Sequence, residues 1–266
     1  MTAAHNYLTA FMDDPDEDKP NPIHSTGTAR EYGFRGALIG GATAYGWTVV
    51  SIVEALGAAW LDQGWAELSF RRPMYPGDEL DIHVDEGGEL RVTRNAELCF
   101  SGRVGLGNGA WLEEMTLPER HEAQRQPDAL PELTLGNAPV GRDLLPRAVT
   151  VNVADALEFN QVRQREPLPM FAGSRPRVHP AWIAEQLIHL LHHSYDYGPS
   201  IHTASWIQHL GAAFADDTFT IRGHCVAAYE RKGHHYVVND GSIEDSAQQL
   251  IARLRHTAIF LIKPAG

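Results

Sequence analysis

The feature that most limits what this chain can fold into is an order of signals that occurs twice: a long apolar helical run followed by a series of alternating, strand-like segments. The first helical run covers residues 40–56 and holds Trp47, Val49, Val50, Ile52 and Val53, so it reads as a buried helix. Its start, Gly36-Ala-Leu-Ile-Gly40-Gly41, is rich in glycine, which lets another chain or a ligand approach the backbone closely. Alternation takes over at 65–70, 80–84 and 90–106, with turns at Tyr75-Pro76-Gly77-Asp78 and Gly87-Gly88.

Between about Trp111 and Gly141 the periodicity fades, and Pro118, Pro127, Pro131 and Pro139 punctuate a polar stretch. The signals then return: a strand at 147–151, a short helix at 154–164, a long apolar helix at 180–195, and strands at 200–210, 219–229, 235–238 and 250–262. The expected division is residues 1–110, a linker at 111–142, and residues 143–266. The class is α+β, read as two tandem repeats, each a helix wrapped by an antiparallel sheet; two unrelated α+β domains are the alternative. The first half has too few residues before its first motif for an opening strand. That leaves an edge for the linker or a neighbouring subunit to cover.

A formal net charge of -12 argues against a nucleic-acid or anionic-membrane surface, because Lys and Arg are too few to neutralise many phosphates. No apolar run is long enough to span a bilayer, and Met1 to His5 lack the basic and apolar regions of a signal peptide, so the expected location is cytoplasmic. The two cysteines, Cys99 and Cys225, lie in apolar alternating runs and are expected to be buried reduced thiols. Among 14 histidines, His189, His192 and His193 share a helical face at a spacing that can bind zinc. The acid of a His-Glu-x-x-His pattern and a nearby Cys pair are both missing, so surface or core histidines are expected and no metal site. No Gly-x-Ser-x-Gly elbow, phosphate loop or Gly-x-Gly-x-x-Gly run after a strand occurs.

The chemistry-bearing candidate is Asn21-Pro22-Ile23-His24, in a loop ahead of the glycine-rich helix start. Pro22 holds the backbone extended, Asn21 can bond neighbouring backbone, and His24 titrates near neutral pH. Downstream come Ala29-Arg-Glu-Tyr-Gly-Phe34, Ala37-Leu-Ile-Gly40-Gly41 and Phe70-Arg-Arg-Pro-Met-Tyr-Pro-Gly-Asp78. In this order they resemble the MaoC-like (R)-specific enoyl-thioester hydratases and 3-hydroxyacyl-thioester dehydratases, of the double hot-dog type. The resemblance implies that an Asp and a His share a water at carbon 3, while backbone N–H groups at the helix start hold the thioester enolate. His24 and Asp18 are thereby the catalytic candidates, and Asn21, Leu38, Gly40 and Gly41 line the substrate. The glycines equally suit close helix–sheet packing.

The family's Asp lies five residues before its His, where this chain has Lys19. Asp18 reaches that place if Pro20 is a one-residue insertion; Asp13, Asp14 and Asp16 are further candidates, and a solvated acidic loop is the alternative. In the second half, Glu166-Pro-Leu-Pro-Met-Phe171 puts Phe171 in the place of His24 and Glu166 in that of Lys19. Met170 and Phe171 are expected either to shape the acyl pocket or to be ordinary core. The implied reaction needs no metal or redox cofactor, only CoA or an acyl carrier protein as carrier of an acyl thioester; Arg71, Arg72, Arg163, Arg165, Arg175 and Arg177 are candidates for an acidic carrier protein or a CoA phosphate, with scattered surface arginines as the alternative. A homodimer of double hot-dogs is the assembly considered. Three other readings stay open: a hot-dog acyl thioesterase using Glu54 or Glu185, a degenerate hot-dog that binds a thioester or stabilises a partner without turnover, and a fold redirected to removing water from a non-thioester metabolite.

Overall fold

A computed structural model describes residues 2–12 and 21–263. Among the described residues, ten strands join one antiparallel sheet. The first five are β1 (Ala4–Thr9), β2 (Gly64–Phe70), β3 (Glu79–Val84), β4 (Glu89–Arg94) and β5 (Glu97–Leu106). The others are β6 (Arg147–Val151), β7 (Ile201–His209), β8 (Asp217–Arg231), β9 (His234–Glu244) and β10 (Leu250–Leu261). Their order, β1-β3-β4-β5-β2-β7-β10-β9-β8-β6, is the same five-strand arrangement read inward from each edge. The two copies meet where β2 pairs with β7, from Trp65↔Gln208 to Ser69↔Ala204.

The helices are α1 (Thr26–Glu31), α2 (Gly41–Gly46), α3 (Val49–Leu56), α4 (Trp60–Gln63), α5 (Val153–Leu157) and α6 (Pro180–Ser194). α6 lies on β8, β9 and β10 and also packs against α2. Gly223 and Gly241 make room for it: a Cβ on either would stand 2.6 Å from Leu190 Cδ2 or 2.4 Å from Leu187 Cδ2. Gly46 likewise lets α2 touch the start of α6, since its Cβ would meet that of Ala181 at 2.8 Å.

Three expectations are corrected. The first half does have an opening strand. β1 pairs with β3 over six residues, from Ala4↔Val84 to Thr9↔Glu79, and takes the edge position that β6 holds in the second half. It escapes a sequence reading because an edge strand with one solvated face needs little apolar alternation; Tyr7 is 74% exposed. The helix expected at 40–56 is broken between α2 and α3. Thr48 turns both its N–H and its hydroxyl onto the Tyr45 carbonyl, at 2.9 and 2.7 Å, which tightens the chain there. The strand expected at 90–106 is a hairpin, reversed at Asn95 and Ala96 with φ of 49° and 64°.

The stretch from Trp111 to His121 is a strap on the face of the second half's sheet opposite α6. Trp111 stacks on Trp206 with ring centroids 5.3 Å apart. The Thr116 N–H donates to Asp240 at 2.7 Å and the Arg222 Nε to the His121 carbonyl at 2.9 Å. Under it lie paired charges, Arg255 with Asp240 at 2.6 Å and Arg222 with Glu244 at 2.8 Å. The first part of the linker thus covers this face.

Candidate active site at the start of the first central helix

Pro22-Ile23-His24 forms a single 3-10 turn, begun by the fixed φ of Pro22 and ended where Ser25 starts α1. Ile23, 1% exposed, anchors the turn in a small apolar cluster with Ala29, Leu38 and Tyr75 from the first half and Ile259 and Ile262 from the second. Asn21 ties the same loop to the second half. Its Nδ2 donates to the Ser200 carbonyl and its Oδ1 accepts the Ser200 N–H, both at 3.0 Å, just ahead of β7.

The His24 ring is fixed by its own backbone surroundings. Nδ1 lies 2.7 Å from the Leu38 carbonyl. A carbonyl only accepts, so Nδ1 carries the proton and Nε2 is the basic nitrogen. A Cβ on Gly40 would sit 3.5 Å from His24 Cε1 and 3.8 Å from Nε2, which places the ring beside the start of α2. Gly41 faces the other way: its Cβ would stand 2.6 Å from Nδ1 of His202, on β7. Close packing therefore dictates glycine at 41, whereas at 40 a methyl group would make ordinary contact.

The structure thus brings together Asn21, His24, Leu38, Gly40 and Gly41. Asp18, Lys19 and the carboxylates Asp13, Asp14 and Asp16 lie outside the described residues. Met170 and Phe171 form the matching 3-10 turn of the second half, Pro169–Phe171, at the start of α6. Phe171 is fully buried there, its ring 4.9 Å from that of His179. Position 179 caps α6 as position 40 caps α2, so Phe171 against His179 repeats the placement of His24 against Gly40.

The chemistry of the two helix starts differs. α2 has no side-chain cap. α6 begins with Pro180, which has no N–H, and its next N–H, from Ala181, is taken by His179 Nδ1 at 3.1 Å. His179 then donates from Nε2 to Glu166 at 3.1 Å, and the other Glu166 oxygen accepts the Leu168 N–H at 2.9 Å. Burial holds His179 below its ordinary pKa, against the pull of Glu166. This pair, missed in the sequence, fills the second helix start from within. Glu166 was visible as the counterpart of Lys19, but its partner sits on the cap and not on the 3-10 turn.

A cavity of about 240 Å³ lies beside α6 and not at His24, lined among others by Phe159, Asn160, His179, Trp182 and Glu185. Of the carboxylates considered for a thioesterase, Glu54 is exposed and accepts from Asn6 at 2.7 Å, while Glu185 is mostly buried, 3.8 Å from Arg163 and 3.4 Å from His189. His192 stacks on Tyr197 at 4.0 Å and His193 meets the Gln124 carbonyl at 3.0 Å. Several of the phosphate candidates are engaged within the chain: Arg177 pairs with Asp62, Arg165 lies over Phe11 at 3.9 Å and Arg175 over Phe214 at 4.4 Å. Both cysteines are free and buried, and burial pushes the Cys225 thiol up to about 11. Among the described residues no helix is long and apolar enough to cross a membrane.

No protein-family model matches this chain, and no curated protein does. Solved structures do. One described as a MaoC domain dehydratase from Chloroflexus aurantiacus aligns with a TM-score of 0.62 and 12% identity, over 98% of this chain and 95% of its own. A double hot-dog protein from Mycobacterium tuberculosis aligns at 0.57 and 16% identity, over 87% and 84%. One described as an oleoyl thioesterase from Lactobacillus plantarum aligns at 0.54 and 10% identity, over 98% of each chain. Identities this low carry fold and not reaction. This chain is a double hot-dog protein, with MaoC-like dehydratases among the structures that share its fold.

Proposed function

We propose that the protein is a hydro-lyase that hydrates 2-enoyl thioesters or, in reverse, dehydrates 3-hydroxyacyl thioesters, with His24 as its acid and base. The observation that carries this is the 2.7 Å contact from His24 Nδ1 to the Leu38 carbonyl, which leaves Nε2 basic beside the start of α2. In hydration, His24 Nε2 takes a proton from water as its oxygen bonds to carbon 3, and a proton is delivered to carbon 2. Negative charge gathers on the thioester oxygen between those events. Backbone N–H groups at Gly40 and Gly41 are the proposed donors to it, at a helix start without a side-chain cap. Asp18 is the proposed second acid/base group. Only water is added or removed, so the proposal calls on no metal or redox cofactor; the carrier is the pantetheine of CoA or of an acyl carrier protein.

The test is incubation with crotonyl-CoA and longer 2-enoyl thioesters while enone absorbance is followed. Loss of absorbance is expected; no turnover on any of them sinks the reading. A second reading, a thioesterase, is favoured by one observation: Glu185, mostly buried, lines the α6 cavity and is held by its neighbours at 3.4 and 3.8 Å, longer than tight ion pairs. Release of free thiol from saturated acyl-CoA, abolished in Glu185→Gln, would establish it in place of the lyase.

A further inference from the structure

Behind Gly41 the interior is polar where an aliphatic acyl chain would want it apolar. Ser205, His256, Asn239 and Cys225 stand opposite one another across β7, β10, β9 and β8, so their side chains share a face of the sheet. Gly241, two residues past Asn239, meets Leu187 of α6, which marks this as the helix-covered face. Ser205 is 3% exposed, His256 2% and Asn239 0%. His202 joins the row to the His24 site. Its Nε2 lies 2.6 Å from the Ser205 hydroxyl, its ring centroid is 4.2 Å from that of His256, and it packs on Gly41.

The row is chemically unfinished. Asn239 has neither its Nδ2 nor its Oδ1 hydrogen-bonded, and His256 Nδ1 has no partner. Tyr45, one turn along α2 from Gly41, adds a buried hydroxyl without one. Buried polar groups are nearly always paired, and one left unpaired has lost its water without a replacement partner. Asn239 both donates and accepts, which matches a hydroxyl or a ketone. A charged group would find no counter-ion: the row contains no Lys, Arg or carboxylate, and burial holds His256 neutral, with its pKa down at about 3.

Building on the thioester reading above, we infer that this row selects acyl groups carrying an uncharged oxygen substituent beyond the reacting carbons, hydrogen-bonded by Asn239 and His256. The probes are saturated pantetheine thioesters in matched pairs, an oxo group against a methyl branch at carbon 4, 5 or 6 of the same chain, bound to the full chain and followed by calorimetry. At one position or more the oxo compound is expected to bind at least tenfold tighter, and Asn239→Leu to cut that ratio at least fivefold. Equal or reversed affinities at every position, binding of neither member, or a ratio indifferent to Asn239→Leu would overturn the inference. The comparison within the natural chain stands even if the variant does not fold. The probes have no 2,3 double bond and no 3-hydroxyl, so a hydro-lyase cannot turn them over, and free-thiol release measured in the same samples corrects for any hydrolysis. Failure on enoyl thioesters would remove the lyase reading and leave an oxo preference standing.

Discussion

At the scale of single residues, the two adjacent glycines at the start of α2 make opposite predictions. Gly41→Ala places a methyl group 2.6 Å from the His202 ring, so overpacking is expected to destabilise the fold by about 1–3 kcal/mol. Gly40→Ala meets His24 at 3.5 Å and is expected to change stability by less than about 1 kcal/mol. Urea unfolding of the two variants side by side measures the difference, and equal losses would contradict this packing. The sequence made the glycines visible but left cradle and packing indistinguishable, because His202 lies more than 150 positions away and reaches Gly41 only through the β2–β7 junction. The turn that carries His24 was legible as a loop because Pro22 and Asn21 stand beside it, whereas His24 itself stood out through the ordered motifs downstream. Glu166 and His179 were not read as a pair, since no local pattern joins an acid to a helix cap 13 residues on.

At the scale of elements, long periodic runs were readable and edges were not. α6 and most of β2, β3, β7, β8 and β10 follow their apolar periodicity, and β9 runs six residues past the strand expected at 235–238. That extension, through Asn239, Asp240 and Ser242, is polar in sequence yet buried, because the strap covers one face and α6 the other. Pattern alone therefore read it as the end of a strand. The strap itself read as a linker, since it pairs through single anchors and not through a period. Trp111, 6% exposed and stacked on Trp206, is its main apolar anchor. Trp111→Ala is expected to cost about 3–5 kcal/mol in thermal or urea unfolding. A loss below about 1 kcal/mol would show that the strap is not held by this residue.

At the scale of the whole molecule, the repeated strand order has been kept while the two helix starts have diverged, one left uncapped beside His24 and the other closed by His179, Glu166 and Pro180. The sheet junction also buries histidines that set the response to pH. Burial lowers His256 to about 3 and His209 to about 4. Unfolding restores an ordinary value near 6.5, so below that pH the unfolded chain binds protons that the folded chain does not. The stability these groups permit is full above about pH 6.5 and is lost as pH falls, by up to about 1.4 kcal/mol per pH unit for each histidine. Urea titrations at pH 7, 6 and 5 should show this decline, and His256→Gln should flatten it. The central claim, that the uncapped start is the catalytic one, is tested most directly by kcat/KM for an enoyl thioester in His24→Ala, with the fold verified by circular dichroism. A loss of about 10²–10⁴-fold is predicted for an acid/base group. A folded variant within threefold of the natural chain would contradict the claim.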